Sequence, residues 1–92
     1  MLEIDILDSA REFLLNIERK FARQIRTRTN RLAKQPYPPQ SKILEGYAPL
    51  RRLRSGDYRI IYFAEGNVLK IPLIDKRGDD KVYRRIEQKF KS

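Results

Sequence analysis

The chain begins with a strict alternation of apolar and polar residues. Leu2, Ile4 and Ile6 are apolar, and the residues between them are acidic. Alternation of this kind is typical of a strand with one buried face, because successive side chains of a strand point to opposite faces. It predicts a short half-buried strand over residues 2–7.

A long segment without glycine or proline follows, from Ala10 to Lys34. Its apolar residues recur at helical spacing, and Ser9 with Glu12 fits a capping box that would begin the helix. One straight helix over this segment would be roughly 37 Å long, which is long for a small domain. We expect a break near residues 18–20, so that the segment forms a helical hairpin.

Three apolar segments in the second half of the chain predict strands, and a proline-rich loop over residues 35–49 leads into them. Their predicted positions are residues 50–54, a strand that begins at Tyr58, and residues 68–75, with glycine-containing turns at Ser55–Asp57 and Glu65–Asn67. Consecutive strands joined by tight turns form an antiparallel meander. Pro72 lies inside the last strand and has no N–H to donate, so it predicts an edge, a bulge or an unpaired position.

The end of the chain predicts one more helix. Asp79 or Asp80 can cap it, and Val82 and Ile86 lie on its apolar stripe. The complete order is a strand, a helical hairpin, three strands and a short helix. Helices that cover one face of a small, mainly antiparallel, four-stranded sheet give an α+β fold. A chain of 92 residues corresponds to a single domain, over residues 1–92.

Composition narrows the classes of function. The chain has 21 basic and 12 acidic residues and a net charge of +9, which favours a polyanionic partner over a merely well-solvated surface. It has no cysteine and no histidine, which excludes disulfides, thiol nucleophiles, histidine bases and most zinc sites. No apolar run approaches the roughly 20 residues of a membrane span, and the first residues do not resemble a signal peptide. We therefore expect a cytoplasmic protein with no membrane partner and no metal.

The remaining candidates for chemistry are arginines and one tyrosine near the ends of successive elements. They are Arg52, Arg54, Arg59, Arg77 and Tyr83. Arg52 and Arg54 share one face of a strand, and a hairpin turn would bring Arg59 beside them. For Arg59 the alternative is a structural salt bridge to Asp57 or Asp75. The alternatives for Tyr83 and Arg77 are a core tyrosine and a solvated loop charge.

Arginines and a phenol suit one reaction on RNA. Guanidinium groups form bidentate contacts with phosphate and stabilise the charge of a pentacoordinate transition state. Positive charge nearby lowers the pKa of a phenol, which makes it a better base. An RNA 2′-hydroxyl could then attack the adjacent phosphodiester and form a 2′,3′-cyclic phosphate, whereas DNA lacks that hydroxyl. Plain nucleic-acid binding accounts for the same charges without chemistry.

Motifs in the second half of the chain occur in a definite order. The run Leu-Arg-Ser-Gly-Asp-Tyr-Arg-Ile-Ile-Tyr, from Leu53 to Tyr62, is followed by Lys76-Arg77 and then by Val82-Tyr83-Arg84. This set resembles the RelE/ParE toxin superfamily of bacterial and archaeal toxin–antitoxin systems, and the order of elements matches too. The resemblance implies a RelE-like fold and a cognate antitoxin protein as partner. In the RelE branch it also implies ribosome-dependent cleavage of mRNA, and that chemistry needs no metal or other cofactor.

The resemblance assigns roles to single residues. Arg59 matches the arginine that binds the phosphate and stabilises the transition state. Arg77 matches the arginine at the leaving group, and Tyr83 matches the tyrosine proposed as base on the 2′-hydroxyl. Arg52 falls where the family has a basic residue on the preceding strand. The predicted catalytic group therefore joins two strands to the predicted last helix.

Some positions depart from the family pattern. Leu50 stands where RelE proper has a second lysine, for which Arg51 or Arg54 can substitute, and Lys76 stands where some branches have histidine. We expect RNA to contact Arg51, Arg54, Lys76 and Arg84 near the catalytic group and Arg26, Arg28 and Arg31 on the basic second helix, whose charges otherwise form a solvated face. Two other functions stay open: a ParE-like inhibitor of DNA gyrase without nuclease activity, and a non-catalytic nucleic-acid-binding module.

Overall fold

The computed structural model describes residues 1–76 of the chain. Within this range the elements are β1 (Glu3–Ile6), α1 (Asp8–Leu15), α2 (Arg19–Lys34), β2 (Lys42–Ile43), β3 (Arg51–Ser55), β4 (Tyr58–Glu65) and β5 (Val68–Lys76). The predicted first strand, the helical hairpin and the three-strand meander are confirmed. The predicted C-terminal helix lies outside the described residues.

The strands form one sheet in the order β1-β5-β4-β3-β2. The pairs within the meander are antiparallel, but β1 runs parallel to β5, with Ile4 opposite Leu69. The sheet is therefore mixed and has five strands, and the prediction of four strands was wrong by one. The additional strand, β2, is only two residues long and lies inside the predicted loop, so no pattern of apolar residues could reveal it.

The helical hairpin breaks slightly earlier than predicted. α1 ends at Leu15 and α2 begins at Arg19, and the Asn16 side chain donates a hydrogen bond of 2.7 Å to the carbonyl oxygen of Glu12. The predicted capping box is wrong, because α1 already begins at Asp8 and its N-cap residue makes no side-chain capping bond. The backbone explains this early start: Leu7 donates its N–H to Ile71 on β5 at 3.0 Å, so the chain turns from the sheet directly into the helix.

A β-bulge interrupts β5 at Pro72, which is one of the three alternatives that the proline predicted. Ile61 pairs with Leu73 but Phe63 pairs with Lys70, so two residues of β5 lie opposite the single residue Tyr62. The proline lacks the N–H that this position of the ladder would use. A bulge also shifts the alternation of faces, and the residues of β5 on either side of Pro72 therefore follow different alternations.

The core lies between the sheet and the two helices. Its fully buried members come from both layers: Ala10, Leu14, Ile25, Leu32 and Ala33 from the helices, and Leu53, Ile60, Tyr62, Leu69, Ile71 and Ile74 from the sheet. Burial of one such aliphatic side chain contributes roughly 1.5–3 kcal/mol. This layer anchors the strands on one face and leaves their other face available for a site.

A smaller apolar cluster covers one end of the opposite face of the sheet. Leu44, Leu50, Ile61 and Leu73 are buried there, and Tyr47 packs against them from the loop between β2 and β3. Ile43 stays outside this cluster and is 58% exposed, because it pairs with Arg51 and so points to the helix side at the sheet edge. The other end of this face carries charged residues.

Candidate functional site

Arg59 is the middle member of a charged row that crosses the sheet. It pairs with Arg54 on β3 and with Asp75 on β5. Arg59 is 8% exposed and Asp75 is 6% exposed. Since directly paired residues of an antiparallel sheet point to the same face, all three side chains lie on the face opposite the helices.

Arg52 lies on the same face as this row. It pairs with Ile61, which belongs to the apolar cluster on the face away from the helices, and it lies two residues before Arg54. The tight turn at Gly56, with φ of +60°, allows this pairing. The hairpin therefore brings Arg52, Arg54 and Arg59 together, which is the geometry that their spacing predicted.

Asp75 is the carboxylate beside Arg59, and the turn residue Asp57 is exposed instead. The backbone N–H of Lys76 donates to Oδ1 of Asp75 at 2.7 Å. Oδ2 is buried and accepts no hydrogen bond from residues 1–76. An unsatisfied buried acceptor costs about 1–3 kcal/mol. The packing of the sheet therefore keeps the Asp75 carboxylate buried, although its hydration would favour exposure to water.

Arg51 lies apart from this group and holds a loop. It pairs with the core residue Tyr62, and its guanidinium donates from Nε to Ser41 Oγ at 2.9 Å and from Nη2 to the Ser41 carbonyl at 3.1 Å. The same guanidinium stacks over the ring of Tyr37, at 5.1 Å from its centre. The structure thus gives the Arg51 guanidinium partners in the proline-rich loop and places it on the helix side of the sheet.

Tyr62 completes the attachment of this loop. Its hydroxyl donates to the carbonyl of Pro36 at 2.7 Å and forms a short hydrogen bond with the Ser41 hydroxyl. The tyrosine is fully buried, so these bonds satisfy its polar group inside the core. Arg51 and Tyr62 together fix the loop that leads to β2.

The remaining predicted residues lie at the end of β5 or after it in the sequence. Lys76 is exposed and pairs with Tyr58, whose ring packs against Phe13 and Phe21. Lys76 is thereby on the helix side of the sheet and does not join Arg59. Arg77, Tyr83 and Arg84 lie outside the described residues, so the structure describes the strand half of the predicted catalytic group.

The basic residues of α2 divide between two sides of the helix. Arg28 lines a groove beside β2 and β3, together with Gln40, Lys42, Arg52 and Arg54. Arg31 lines the adjoining cavity, which also contains Arg28. Arg26 lies on the other side, where it borders grooves that contain Leu14 and Leu15. Arg28 and Arg31 therefore lie near the basic face of the sheet, and Arg26 does not.

The sequence patterns did not identify Lys42 as part of this surface, and they did not predict that Asp75 would be a buried part of the site. Lys42 was not identified, because it lies in the predicted loop and only its pairing with Arg52 brings it to the basic face. Asp75 was considered only as a salt-bridge partner. In residues 1–76, no three acidic, histidine or cysteine side chains group as metal ligands, and no helix there is long and apolar enough to span a membrane.

Solved structures with this architecture include toxins of the RelE type. The chain is 27% identical to the archaeal RelE of a RelE–RelB complex from Pyrococcus horikoshii OT3, with a TM-score of 0.73 over 84% of this chain and 96% of that one. A doubly substituted E. coli toxin RelE in the free state shares the fold, with a TM-score of 0.81, 18% identity and coverage of 97% of both chains. The toxin–antitoxin complex RelBE2 of Mycobacterium tuberculosis has a TM-score of 0.73 and 20% sequence identity, over 83% of this chain and 98% of that one.

The five-stranded sheet with its helical hairpin and basic outer face therefore defines a small α+β toxin of the RelE-like fold. The family model described as the ParE toxin of the type II toxin–antitoxin system, parDE, matches residues 4–89. The chain belongs to this family, within the RelE/ParE superfamily, as its motifs predicted. No curated protein matches the sequence.

Proposed function

We propose that this toxin is an endoribonuclease that cuts mRNA on the ribosome without a metal ion. The observation that carries the proposal is Arg59, a guanidinium almost fully buried in a central strand, between Arg54 and Asp75. A charge is costly to bury in a small domain. A strand fixed by a core on one side is a rigid support, which suits a cation that must meet a phosphate in one geometry.

The proposed reaction is the transfer of a phosphodiester within the RNA. The 2′-oxygen attacks the adjacent phosphorus, the bond to the 5′-oxygen breaks, and a 2′,3′-cyclic phosphate and a free 5′-hydroxyl result. Arg59, with Arg52 on the same face, stabilises the charge on the phosphate oxygens. By family resemblance, Tyr83 takes the proton from the 2′-hydroxyl and Arg77 stabilises the leaving 5′-oxygen. Each of these four roles belongs to the proposal.

The proposed partners follow from charge and from the related structures. The net charge of +9 favours mRNA and ribosomal RNA as targets. RelE toxins from P. horikoshii, E. coli and M. tuberculosis were solved in complexes with antitoxins. We propose that this chain has a cognate antitoxin too, and that acidic segments of the antitoxin neutralise its basic surface.

A second candidate is inhibition of DNA gyrase without cleavage of RNA. The observation that favours it is the family match, which carries the ParE name. Under this hypothesis the basic face binds a protein or DNA, and Arg59 performs no chemistry. A binding module without any activity would behave like this candidate in a nuclease assay but would leave gyrase unaffected.

One experiment separates these functions. The toxin is added to a translating extract, the mRNA ends are mapped, and DNA supercoiling by gyrase is measured in parallel. We expect cuts in phase with codons that disappear in Arg59→Ala and persist in Arg23→Ala, an exposed arginine on the other side of α2. Circular dichroism of Arg59→Ala checks that the variant is folded. Intact mRNA with blocked supercoiling would overturn the nuclease proposal in favour of the gyrase candidate.

A further inference from the structure

Two cross-strand pairs on the face away from the helices each join two basic residues. Lys42 on β2 pairs with Arg52 on β3, and Arg54 on β3 pairs with Arg59 on β4. Like charges that are directly paired across strands destabilise a sheet. Asp75 lies beside Arg59, but Lys42, Arg52 and Arg54 have no acidic cross-strand neighbour within residues 1–76. An anion bound at this corner of the sheet would therefore relieve their repulsion.

No acidic residue within residues 1–76 lines the groove at this corner. A groove of about 390 Å³ is lined by Arg28, Gln40, Lys42, Arg52 and Arg54; we call it the β2–β3 groove. The two ion pairs within residues 1–76 join other residues, Arg11 with Asp8 and Lys70 with Glu65. The four cations of the groove thus form no ion pair with any described residue.

We propose that the β2–β3 groove binds the sugar–phosphate backbone of single-stranded RNA at nucleotides next to the cleaved bond. This inference rests on the proposed nuclease function and assigns to it a second site for phosphate. The groove is continuous with the candidate active site, because Arg54 lines the groove and is the cross-strand neighbour of Arg59. An RNA strand that reaches Arg59 over this face passes the groove.

The spacing of the strands indicates that this face of the sheet binds more than one phosphate. Lys42 lies two strands away from Arg59 and about two residues further along the ladder. With the usual strand separation and rise per residue, their Cα atoms are roughly 12 Å apart. This separation suits successive phosphates of an extended strand better than a single phosphate group. The groove and the active site are therefore neighbouring subsites of one path.

The chemistry of the groove favours RNA over an acidic peptide. Within residues 1–76, its lining consists of arginine, lysine and glutamine side chains and includes no apolar residue. Guanidinium groups bind phosphate in a bidentate geometry, and an amide can bond a ribose hydroxyl. An antitoxin segment would meet only the stems of polar side chains of the described residues here, whereas the groove between α1 and α2 offers Leu14, Leu15 and Ile17 next to its arginines.

The test measures binding of an uncleavable RNA. Fluorescence anisotropy gives the affinity of the purified toxin for a labelled single-stranded RNA with 2′-O-methyl groups, over a series of salt concentrations. The variants are Lys42→Gln and Arg28→Gln, which leave Arg59 intact. We expect each variant to bind severalfold more weakly at low salt and to lower the slope of log K against log salt by about 0.7, the value for one phosphate contact with a single strand.

The matched controls are Arg19→Gln and Arg23→Gln, which remove the same charge from the same helix but lie at the α1–α2 groove. We expect both to bind RNA like the unchanged protein. Equal losses in variants and controls would overturn the proposal, because net charge alone would then explain the binding. Unchanged RNA binding in Lys42→Gln, with weaker binding of the cognate antitoxin, would overturn it in favour of an antitoxin site.

The binding assay is independent of catalysis. If the unchanged toxin fails to cut mRNA but Lys42→Gln still weakens RNA binding, the nuclease proposal falls and the groove remains an RNA site. If the toxin cuts mRNA in phase with codons but Lys42→Gln binds and cuts as before, only the groove assignment is wrong. The nuclease proposal and the assignment of the groove as an RNA site can therefore be refuted independently of each other.

Discussion

Arg59 and Asp75 lie directly opposite each other on β4 and β5, and each is more than nine-tenths buried. The β-bulge at Pro72 creates this relationship. Leu69 and Ile71 before the bulge contact the helix-side core, and an uninterrupted alternation would have continued on that side with Asp75. Because the bulge shifts the alternation, Ile74 enters the core and Asp75 emerges beside Arg59.

This relationship predicts that Asp75→Asn destabilises the domain. The variant keeps the shape of the side chain but removes the carboxylate charge that lies beside a buried guanidinium. We expect the free energy of unfolding to fall by about 1–3 kcal/mol, measured by urea denaturation. Asp57→Asn is the control, because Asp57 is exposed in a turn that asparagine also suits. An unchanged unfolding midpoint in Asp75→Asn would show that the charge has no part in holding the strand.

Arg54→Gln should have the opposite effect on stability. Arg54 is exposed and is paired with a like charge, so its removal relieves repulsion. We expect the free energy of unfolding to rise by about 0.2–1 kcal/mol, and the gain to shrink as salt screens the charges. Arg23→Gln removes an equal charge away from the sheet and provides the comparison. A loss of stability in Arg54→Gln, or a gain of equal size in Arg23→Gln, would contradict this explanation.

Tyr62→Phe should loosen the loop before β2. The substitution removes the hydroxyl that bonds the Pro36 carbonyl and the Ser41 side chain. We expect the free energy of unfolding to fall by about 1–2 kcal/mol and the amide hydrogens of Tyr37, Gln40 and Ser41 to exchange faster. Tyr58→Phe is the matched control, because no hydrogen bond within residues 1–76 involves its hydroxyl. Slow exchange in both variants would mean that other contacts hold the loop.

Leu14 and Leu15 offer an internal comparison of burial. They are adjacent in α1, but Leu14 is 4% exposed and Leu15 is 71% exposed. We expect Leu14→Ala to cost about 2–5 kcal/mol, because it leaves a cavity in the core, and Leu15→Ala to change stability by less than about 0.5 kcal/mol. Urea denaturation of the two variants measures the difference. Similar losses would mean that Leu15 is covered in solution.

Much of the architecture could be predicted because it depends on neighbours in sequence. The alternation at Leu2–Ile6, the helical spacing after Ala10 and the turns at Gly56 and Gly66 are local signals, and each element that they predicted is present. The face shared by Arg52, Arg54 and Arg59 was predictable for the same reason, since a tight hairpin sets its own register. The capping box at Ser9 failed because a contact with β5 determined where α1 begins.

Other features depended on partners that are distant in sequence. The pairing of β1 with β5 joins the two ends of the described chain, and β2 exists only because Lys42 and Ile43 meet β3. The same applies to Arg51, which sequence interpretation assigned to RNA but whose guanidinium contacts Ser41 and Tyr37 in the structure. The local sequence pattern contains no signal for contacts between such distant residues, because loop closure and the packing of the whole domain determine them.

Residue types and short-range spacing were enough to predict β1, the helical hairpin and the three-strand meander, and the net positive charge and the lack of histidine and cysteine can be read directly from the residues. Which charges meet across distant strands depended on the tertiary structure. Pro72 predicted an irregularity in β5. The pairing of β5 with β4 shows that this irregularity is a one-residue shift, and the shift places Asp75 beside Arg59. The short strand β2 likewise brought Lys42 to Arg52. Both juxtapositions require strands to pair across long separations, and long-range pairing is decided by the packing of the whole sheet.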